Sequence, residues 1–144
     1  MTYTLIPAGR TASVLFLAAS MLSIAGCSSS RTPGTAGRAA MELIDAFNRH
    51  DPVGMAALVT PEFELYYMNE DGTFGLATKG RAALVAEMES YFSDRPRVAS
   101  TVEQIIDGSV YVAFREQIVG GRSSIAVYEI RDGLIRRVWY YPAE

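Results

Sequence analysis

Two charged side chains interrupt apolar rows near the carboxyl end of the chain. Alternation along residues 110–118 places Glu116 in a row that is otherwise Val110, Val112, Phe114 and Ile118. The same alternation along residues 134–140 places Arg136 in a row with Leu134, Val138 and Tyr140. Glu and Arg are rarely buried without a partner. Glu116 and Arg136 are therefore the candidates for polar groups with a function inside the fold, unless either lies at a strand end in solvent.

His50 is the only histidine in the chain and could act as a general base. The sequence favours a structural role instead, because a polar ring at the end of the first predicted helix would meet the terminal carbonyl groups. One histidine and one cysteine do not make a soft metal cluster. No Gly-rich phosphate loop or nucleophile elbow is found, so no metal and no cofactor are predicted.

The formal net charge of the 144-residue chain is −3, and its arginines are scattered. This charge pattern excludes an extended basic surface and predicts that the protein does not bind nucleic acid.

The amino end has the three zones of a secretory signal peptide. A start that carries Arg10 and no acidic residue precedes the uncharged run 11–24, which is followed by Ala25 and Gly26. The uncharged run is shorter than the roughly 20 apolar residues of a membrane-spanning helix. A permanent anchor helix remains the alternative to a signal peptide.

Ile24-Ala25-Gly26-Cys27 resembles the lipobox of bacterial lipoproteins. The resemblance implies that residues 1–26 are removed and that the thiol of Cys27 is lipidated, which would hold the protein on a membrane. It implies a lipid-anchored protein of the cell envelope, on the periplasmic face of the outer membrane if the cell is Gram-negative. An unmodified thiol is the alternative. Residues 27–37 are rich in Gly, Pro and Ser, and are predicted to form the lipidated cysteine and a flexible tether.

Residues 38–144 are predicted to form one α+β domain. Leu43, Ile44 and Phe47 share a helix face, Pro52 begins a short second helix, and residues 80–92 form a third helix. Residues 63–67 are predicted as a strand and residues 69–75 as a loop. Four further strands are separated by the hairpin dipeptides Asp107-Gly108, Gly120-Gly121 and Asp132-Gly133.

Three segments resemble the SnoaL-like branch of the nuclear transport factor 2-like superfamily: residues 46–65 (AFNRHDPVGMAALVTPEFEL), 79–85 (KGRAALV) and 132–141 (DGLIRRVWYY). The resemblance implies a cone, in which a curved antiparallel sheet packs against three N-terminal helices around a pocket. It implies that Glu116 and Arg136 face this pocket as its polar features. It also implies a pocket lining of Tyr67, Phe114, Tyr128, Val138 and Tyr140.

The superfamily includes the ketosteroid isomerases, and the chain lacks their catalytic set. The resemblance aligns their carboxylate base with Tyr67, their neutral acid with Ala126 and their helix-one tyrosine with Leu43. Isomerase chemistry of that kind is therefore not expected.

Three functions remain open at this point. The first is a lipid-anchored binding or accessory module whose aromatic pocket takes a small apolar molecule. The second is a hydrolase, dehydratase or isomerase; related epoxide hydrolases use an arginine with carboxylates, a role that Glu116 and Arg136 would fill. The third is a protein-interaction subunit of an envelope assembly. A homodimer is also predicted, because a second set of large apolar residues needs a cover. This set is Ile125, Val127, Ile135, Trp139 and Tyr141.

Overall fold

The computed structural model of the chain describes residues 34–143, apart from the side chains at positions 104 and 105. The predicted signal peptide, Cys27 and the tether up to residue 33 lie outside the described residues. The helices are α1 (Thr35–Asn48), α2 (Pro52–Ala57) and α3 (Arg81–Asp94). The strands are β1 (Val59–Met68), β2 (Phe74–Lys79), β3 (Ser100–Asp107), β4 (Tyr111–Ile118), β5 (Ser123–Arg131) and β6 (Leu134–Ala143).

Helix α1 begins at Thr35, three residues before the predicted start of the domain. The carboxylate of Asp107, at the end of β3, accepts hydrogen bonds from the backbone N–H groups of Gly34 and of Gly37, the latter at 3.1 Å. An acidic side chain at this position satisfies N–H groups that have no partner inside the helix. The first turn is also packed, since Ala36 is only 1% exposed. Residues 35–37 therefore belong to the domain and not to the tether.

The other two helices begin where the sequence predicts them. The Asp51 side chain accepts a hydrogen bond from the backbone N–H of Gly54 at 2.8 Å and caps α2, with Pro52 in its first turn. Gly80 precedes α3 with φ of 83°, a backbone conformation that residues with a side chain rarely adopt. Among the described residues, no helix has both the length and the apolar character needed to cross a membrane.

The six strands form one curved sheet in the order β2-β1-β6-β5-β4-β3. The β1–β6 pair is parallel, and the other pairs are antiparallel. This arrangement confirms the predicted α+β class, the curved sheet and the four C-terminal strands. The prediction of a loop over residues 69–75 was wrong at its end, because Phe74 begins β2 and pairs with Met68 of β1.

The inner face of the sheet packs against α1 and α3 and forms the core. It carries large side chains that are almost fully buried, among them Val59, Phe63, Phe114 and Ile135. Helix α1 contributes a stripe of small and aliphatic residues, and α3 contributes Leu84, Met88 and Phe92.

Strand β6 contains a bulge that changes which residues face the core. Ile135 pairs with Ile130, and Arg137 pairs with Glu129, the residue before Ile130 in β5. Arg136 is therefore the extra residue. When two residues of one strand lie opposite a single residue of its partner, the irregularity is a β-bulge. Ile135 is 0% exposed and lies in the core, so its predicted place on the outer face was wrong. The predicted row of Arg136 with Val138 and Tyr140 was wrong for the same reason.

Candidate functional site

A cavity of about 1240 Å³ opens at one end of the sheet. Its wall is formed by the end of β1, the segment that follows α3, the β4–β5 hairpin and the end of β6. The lining combines aromatic and aliphatic side chains with polar ones, and its apolar part includes Tyr67, Tyr91, Val98, Ile118 and Tyr140. Concave sites with apolar walls and a few polar groups are where proteins bind small molecules.

Tyr67 and Tyr140 are neighbours on the parallel strands β1 and β6. Their rings stack with centroids 5.3 Å apart, and both line the cavity. Tyr67 is 50% exposed, so its ring offers an accessible aromatic surface at the cavity.

Glu116 lies beneath this wall, on the inner face of β4, and is only 4% exposed. Its carboxylate accepts hydrogen bonds from the hydroxyl of Ser100 and, at 3.4 Å, from the hydroxyl of Tyr128. The Tyr128 hydroxyl lies in turn 3.4 Å from the Tyr140 hydroxyl. Within residues 34–143, Glu116 has no cationic partner in an ion pair. A chain of hydroxyl groups therefore connects a buried acid to the cavity wall.

The surroundings of Glu116 and of the tyrosine hydroxyls favour the protonated form of each group. Burial raises the pKa of Glu116 above 4.5, while the hydroxyls of Ser100, Tyr140 and Tyr128 act in the opposite direction. Although half of Tyr67 is exposed, partial burial raises the pKa of its hydroxyl to about 12, with the negative charge of Glu87 as the next cause. Burial places the pKa of Tyr128 and of Tyr140 well above 10. The tyrosines are therefore neutral hydroxyls at physiological pH and can donate hydrogen bonds.

Three of the five predicted lining residues lie deeper than the cavity. Phe114, Tyr128 and Val138 are each 1% exposed and belong to the closely packed core. They are not among the residues that line this cavity. Tyr128 still contributes to the site through its hydroxyl, which contacts both Glu116 and Tyr140.

The structure does not bring Glu116 and Arg136 together. The β6 bulge turns Arg136 to the outer face of the sheet, where its Nη1 lies 3.7 Å from Oε1 of Glu129. Glu129 also pairs with Arg131 at 2.8 Å and with Arg137 at 3.3 Å. The acid–base pair that the likeness to epoxide hydrolases implied does not form, and Arg136 is part of an ionic cluster on the opposite face.

Glu64 extends this outer cluster. Its carboxylate pairs with Arg137 at 2.8 Å and with Lys79 at 3.3 Å. The hydrogen bond from Arg137 is the main reason that the pKa of Glu64 falls to about 2, so this carboxylate is ionised at any physiological pH. The two faces of the sheet thus carry different chemistry: ion pairs outside, and hydroxyls around one acid inside.

His50 has the structural position that the sequence favours. Its Nε2 lies 2.8 Å from the carbonyl oxygen of Val98, and its ring stacks on Phe92 with centroids 4.5 Å apart. The ring therefore ties the end of α1 to the segment before β3. Among the described residues, no group of three or more His, Cys, Asp or Glu side chains could hold a metal ion.

The raised pKa of Glu116 predicts a specific pH dependence of stability. The folded state holds this proton more tightly than the unfolded chain, so the stabilisation is present below about pH 4.5 and is lost as the pH rises through the folded-state pKa. The glutamine side chain of Glu116→Gln is neutral at every pH in this range. The neighbouring hydroxyl groups can donate hydrogen bonds to its amide oxygen or accept them from its amide nitrogen. Between the unfolded-state and the folded-state pKa, the variant should gain stability over the wild type by about 1.4 kcal/mol for each rise of one in pH.

Urea denaturation from about pH 4 to about pH 8 measures this difference. Glu103→Gln, at a carboxylate that is 51% exposed on its side chain, is the matched control. A constant difference between Glu116→Gln and the wild type across this range would show that the buried acid does not titrate as described.

Solved structures with the same fold include proteins of different kinds. A SnoaL-like protein of unknown function from Burkholderia thailandensis is 19% identical, with a TM-score of 0.65 over 78% of this chain and 98% of that one. A computationally designed 17-OHP binder is 21% identical, with a TM-score of 0.63 and coverages of 78% and 93%. IdmH, a candidate polyketide cyclase from Streptomyces antibioticus, is 20% identical, with a TM-score of 0.61 and coverages of 75% and 91%.

These identities are low, so the solved structures establish the fold and nothing about the reaction. None of the curated proteins compared with the chain matches it. The family model described as SnoaL-like domain matches residues 40–138, which is most of the domain. The chain therefore belongs to the SnoaL-like domain family.

Proposed function

We propose that the cavity binds a small, largely apolar molecule and that the protein serves as a binding or accessory module. The observation that carries this proposal is that aromatic residues lining the cavity are connected by hydroxyl groups to a buried acid. The wall is formed by Tyr67 and Tyr140, and the acid is Glu116, reached through the hydroxyl of Tyr128. An apolar molecule would gain contact with the rings, while one polar atom could meet a hydroxyl.

Binding fits this site better than catalysis. The expected acid–base pair does not form, so Glu116 would have to act alone and through the tyrosine hydroxyls. General acid–base catalysis requires a positioned group within hydrogen-bond reach of the reacting atom. Glu116 is 4% exposed, so a substrate would meet Tyr140 before it met the carboxylate. The designed 17-OHP binder is an example of this fold used for binding a ligand.

An enzyme remains the second candidate because of one observation. Burial raises the pKa of Glu116, and carboxyl groups tuned in this way are common in active sites. Turnover of a bound molecule that disappears in Glu116→Gln, with binding retained, would favour the enzyme.

A variant that fills the cavity tests the binding function. Ser124 lines the cavity and lies opposite Glu116 on the neighbouring strand. Ser124→Trp should reduce binding of the neutral dye N-phenyl-1-naphthylamine at least tenfold, because the indole would occupy the site. Fluorescence titration of the dye measures the effect.

The control for this variant is Thr101→Trp. Thr101 is exposed and follows Ser100, so it lies on the other face of β3. Its variant should bind the dye as the wild type does. Equal binding by all three proteins would place the dye elsewhere, and no binding by the wild type would refute the proposed function.

We also propose that the domain is anchored in the cell envelope through lipidated Cys27. The support is the order of a basic start, an uncharged run and Ile24-Ala25-Gly26-Cys27 in the sequence. Diacyl and amide-linked chains together would hold the protein on the membrane, since each buried CH₂ contributes about 0.8 kcal/mol.

Cys27→Ser tests the anchor. The wild type should fractionate with membranes and carry the mass of a lipidated chain that starts at Cys27, whereas the variant should appear in the soluble fraction or keep its amino end. Intact mass spectrometry and membrane fractionation measure both properties. A soluble, unmodified wild type would show that Cys27 is a free thiol.

We further propose that the outer face of the sheet joins two copies of the chain. The support is a set of aromatic and aliphatic groups on that face. Tyr66 stacks on Trp139 with centroids 6.1 Å apart, and Phe74 meets Tyr141 edge-on at 5.1 Å. Ile125, opposite Tyr141 on β5, is 46% exposed in the single chain. A second sheet would remove this apolar surface from water.

A charge on that face should separate the copies. Light scattering at micromolar concentration should give a dimer for the wild type and a monomer for Ile125→Asp, because the carboxylate would be buried without a partner. Val53→Asp is the control, since Val53 is 69% exposed on α2 and not on the sheet. A monomeric wild type would contradict the proposed dimer.

A further inference from the structure

Three arginines stand around the mouth of the cavity. Arg95 and Arg97 lie on the segment after α3, and Arg122 lies on the hairpin between β4 and β5. We call Arg95, Arg97 and Arg122 the rim arginines. Among the described residues that line the same cavity, Glu70 alone is acidic. The mouth is therefore positive, although the chain as a whole carries a formal charge of −3.

The rim arginines are available to a ligand. All three are exposed, and among the described residues none takes part in an ion pair. The Arg95 guanidinium lies 4.5 Å from the centre of the Tyr91 ring, which holds its charge against the aromatic wall. The other arginines of the sheet differ in this respect, because Arg115, Arg131, Arg136 and Arg137 each face a carboxylate.

We propose that the ligand is an apolar molecule that carries an anionic group, with the anion bound by the rim arginines and the apolar body against Tyr67 and Tyr140. This inference rests on the proposed binding function and specifies its ligand class. A guanidinium presents paired N–H donors that match carboxylate and phosphate oxygens. Among the described residues that line the cavity, only the rim arginines carry a guanidinium.

The position of Glu116 sets the orientation of the ligand. An anion placed at the inner end would approach a second acid that has no cationic partner in residues 34–143. An anion that is buried without a cationic partner is costly, and its charge would raise the pKa of Glu116 further. An anion at the mouth remains near water and three cations, while the chain that follows it displaces water from the tyrosine rings.

Decanoate and decanol are a matched pair of probes, because they share a ten-carbon body and differ in the charge of the head. In calorimetric titration of the purified protein at low salt and neutral pH, decanoate should bind at least tenfold more tightly than decanol. Added salt should weaken the binding of decanoate and leave decanol unchanged, since exposed charges are screened.

Arg97→Gln combined with Arg122→Gln should bring decanoate to the level of decanol without reducing the binding of decanol. Arg38→Gln combined with Arg115→Gln removes the same total charge from exposed positions that do not line the cavity. This control pair should keep the preference for decanoate. Unchanged binding of decanol in each variant also shows that the cavity is intact.

Two failures are distinguishable. Equal binding of decanoate and decanol by the wild type would overturn the anionic ligand and leave the proposed binding function in place. Binding of neither probe would count against both.

A membrane surface could supply the same negative charge, so vesicles of phosphatidylglycerol and of phosphatidylcholine form a second arm. If the wild type bound the anionic vesicles through Arg97 and Arg122 but did not prefer decanoate, the rim arginines would serve the bilayer and the proposal would be wrong.

Discussion

The bulge at Arg136 in β6 decides what each face of the sheet contains. A register shift of one residue moves side chains to the opposite face of a sheet. Because β6 lies between β1 and β5, its register sets the composition of the sheet centre. The bulge keeps Ile135 in the core, returns Val138 and Tyr140 to the inner face, and leaves Arg136 and Arg137 outside beside Glu129. A regular strand would have turned the guanidinium of Arg136 to the inner face of the sheet.

The separation of charges gives the inner face its character. Outside, Glu64 and Glu129 are each matched by cations, and the pKa of Glu64 falls to about 2 under the influence of Arg137. Inside, Glu116 has hydroxyl partners alone among the described residues, so burial dominates and raises its pKa. A buried acid without a cationic partner costs stability. Its position beneath an aromatic cavity is consistent with the binding function that we propose.

The sequence predicted the parts of the fold that depend on local signals. The four C-terminal strands follow from their Gly-containing turns. Glu116 shares the inner face with Val112 and Phe114 because β4 alternates without interruption. Strand β2 was missed because Gly75 and short polar residues mask its alternation. The position of Arg136 was wrong because a bulge breaks the period of two that the prediction assumed. The cap that Asp107 provides for α1 joins positions about 70 residues apart, which no local pattern reveals.

The proposed binding function requires that the cavity beside Tyr67 and Tyr140 holds a small molecule. Native mass spectrometry of the protein, purified gently from cells that make it, tests this claim most directly. We expect a mass above that of the polypeptide by one small molecule per chain, which is released on denaturation and has an apolar body with an acidic group. A folded protein that shows, in repeated preparations, only the mass of the polypeptide with its covalent modifications would contradict the proposed binding function.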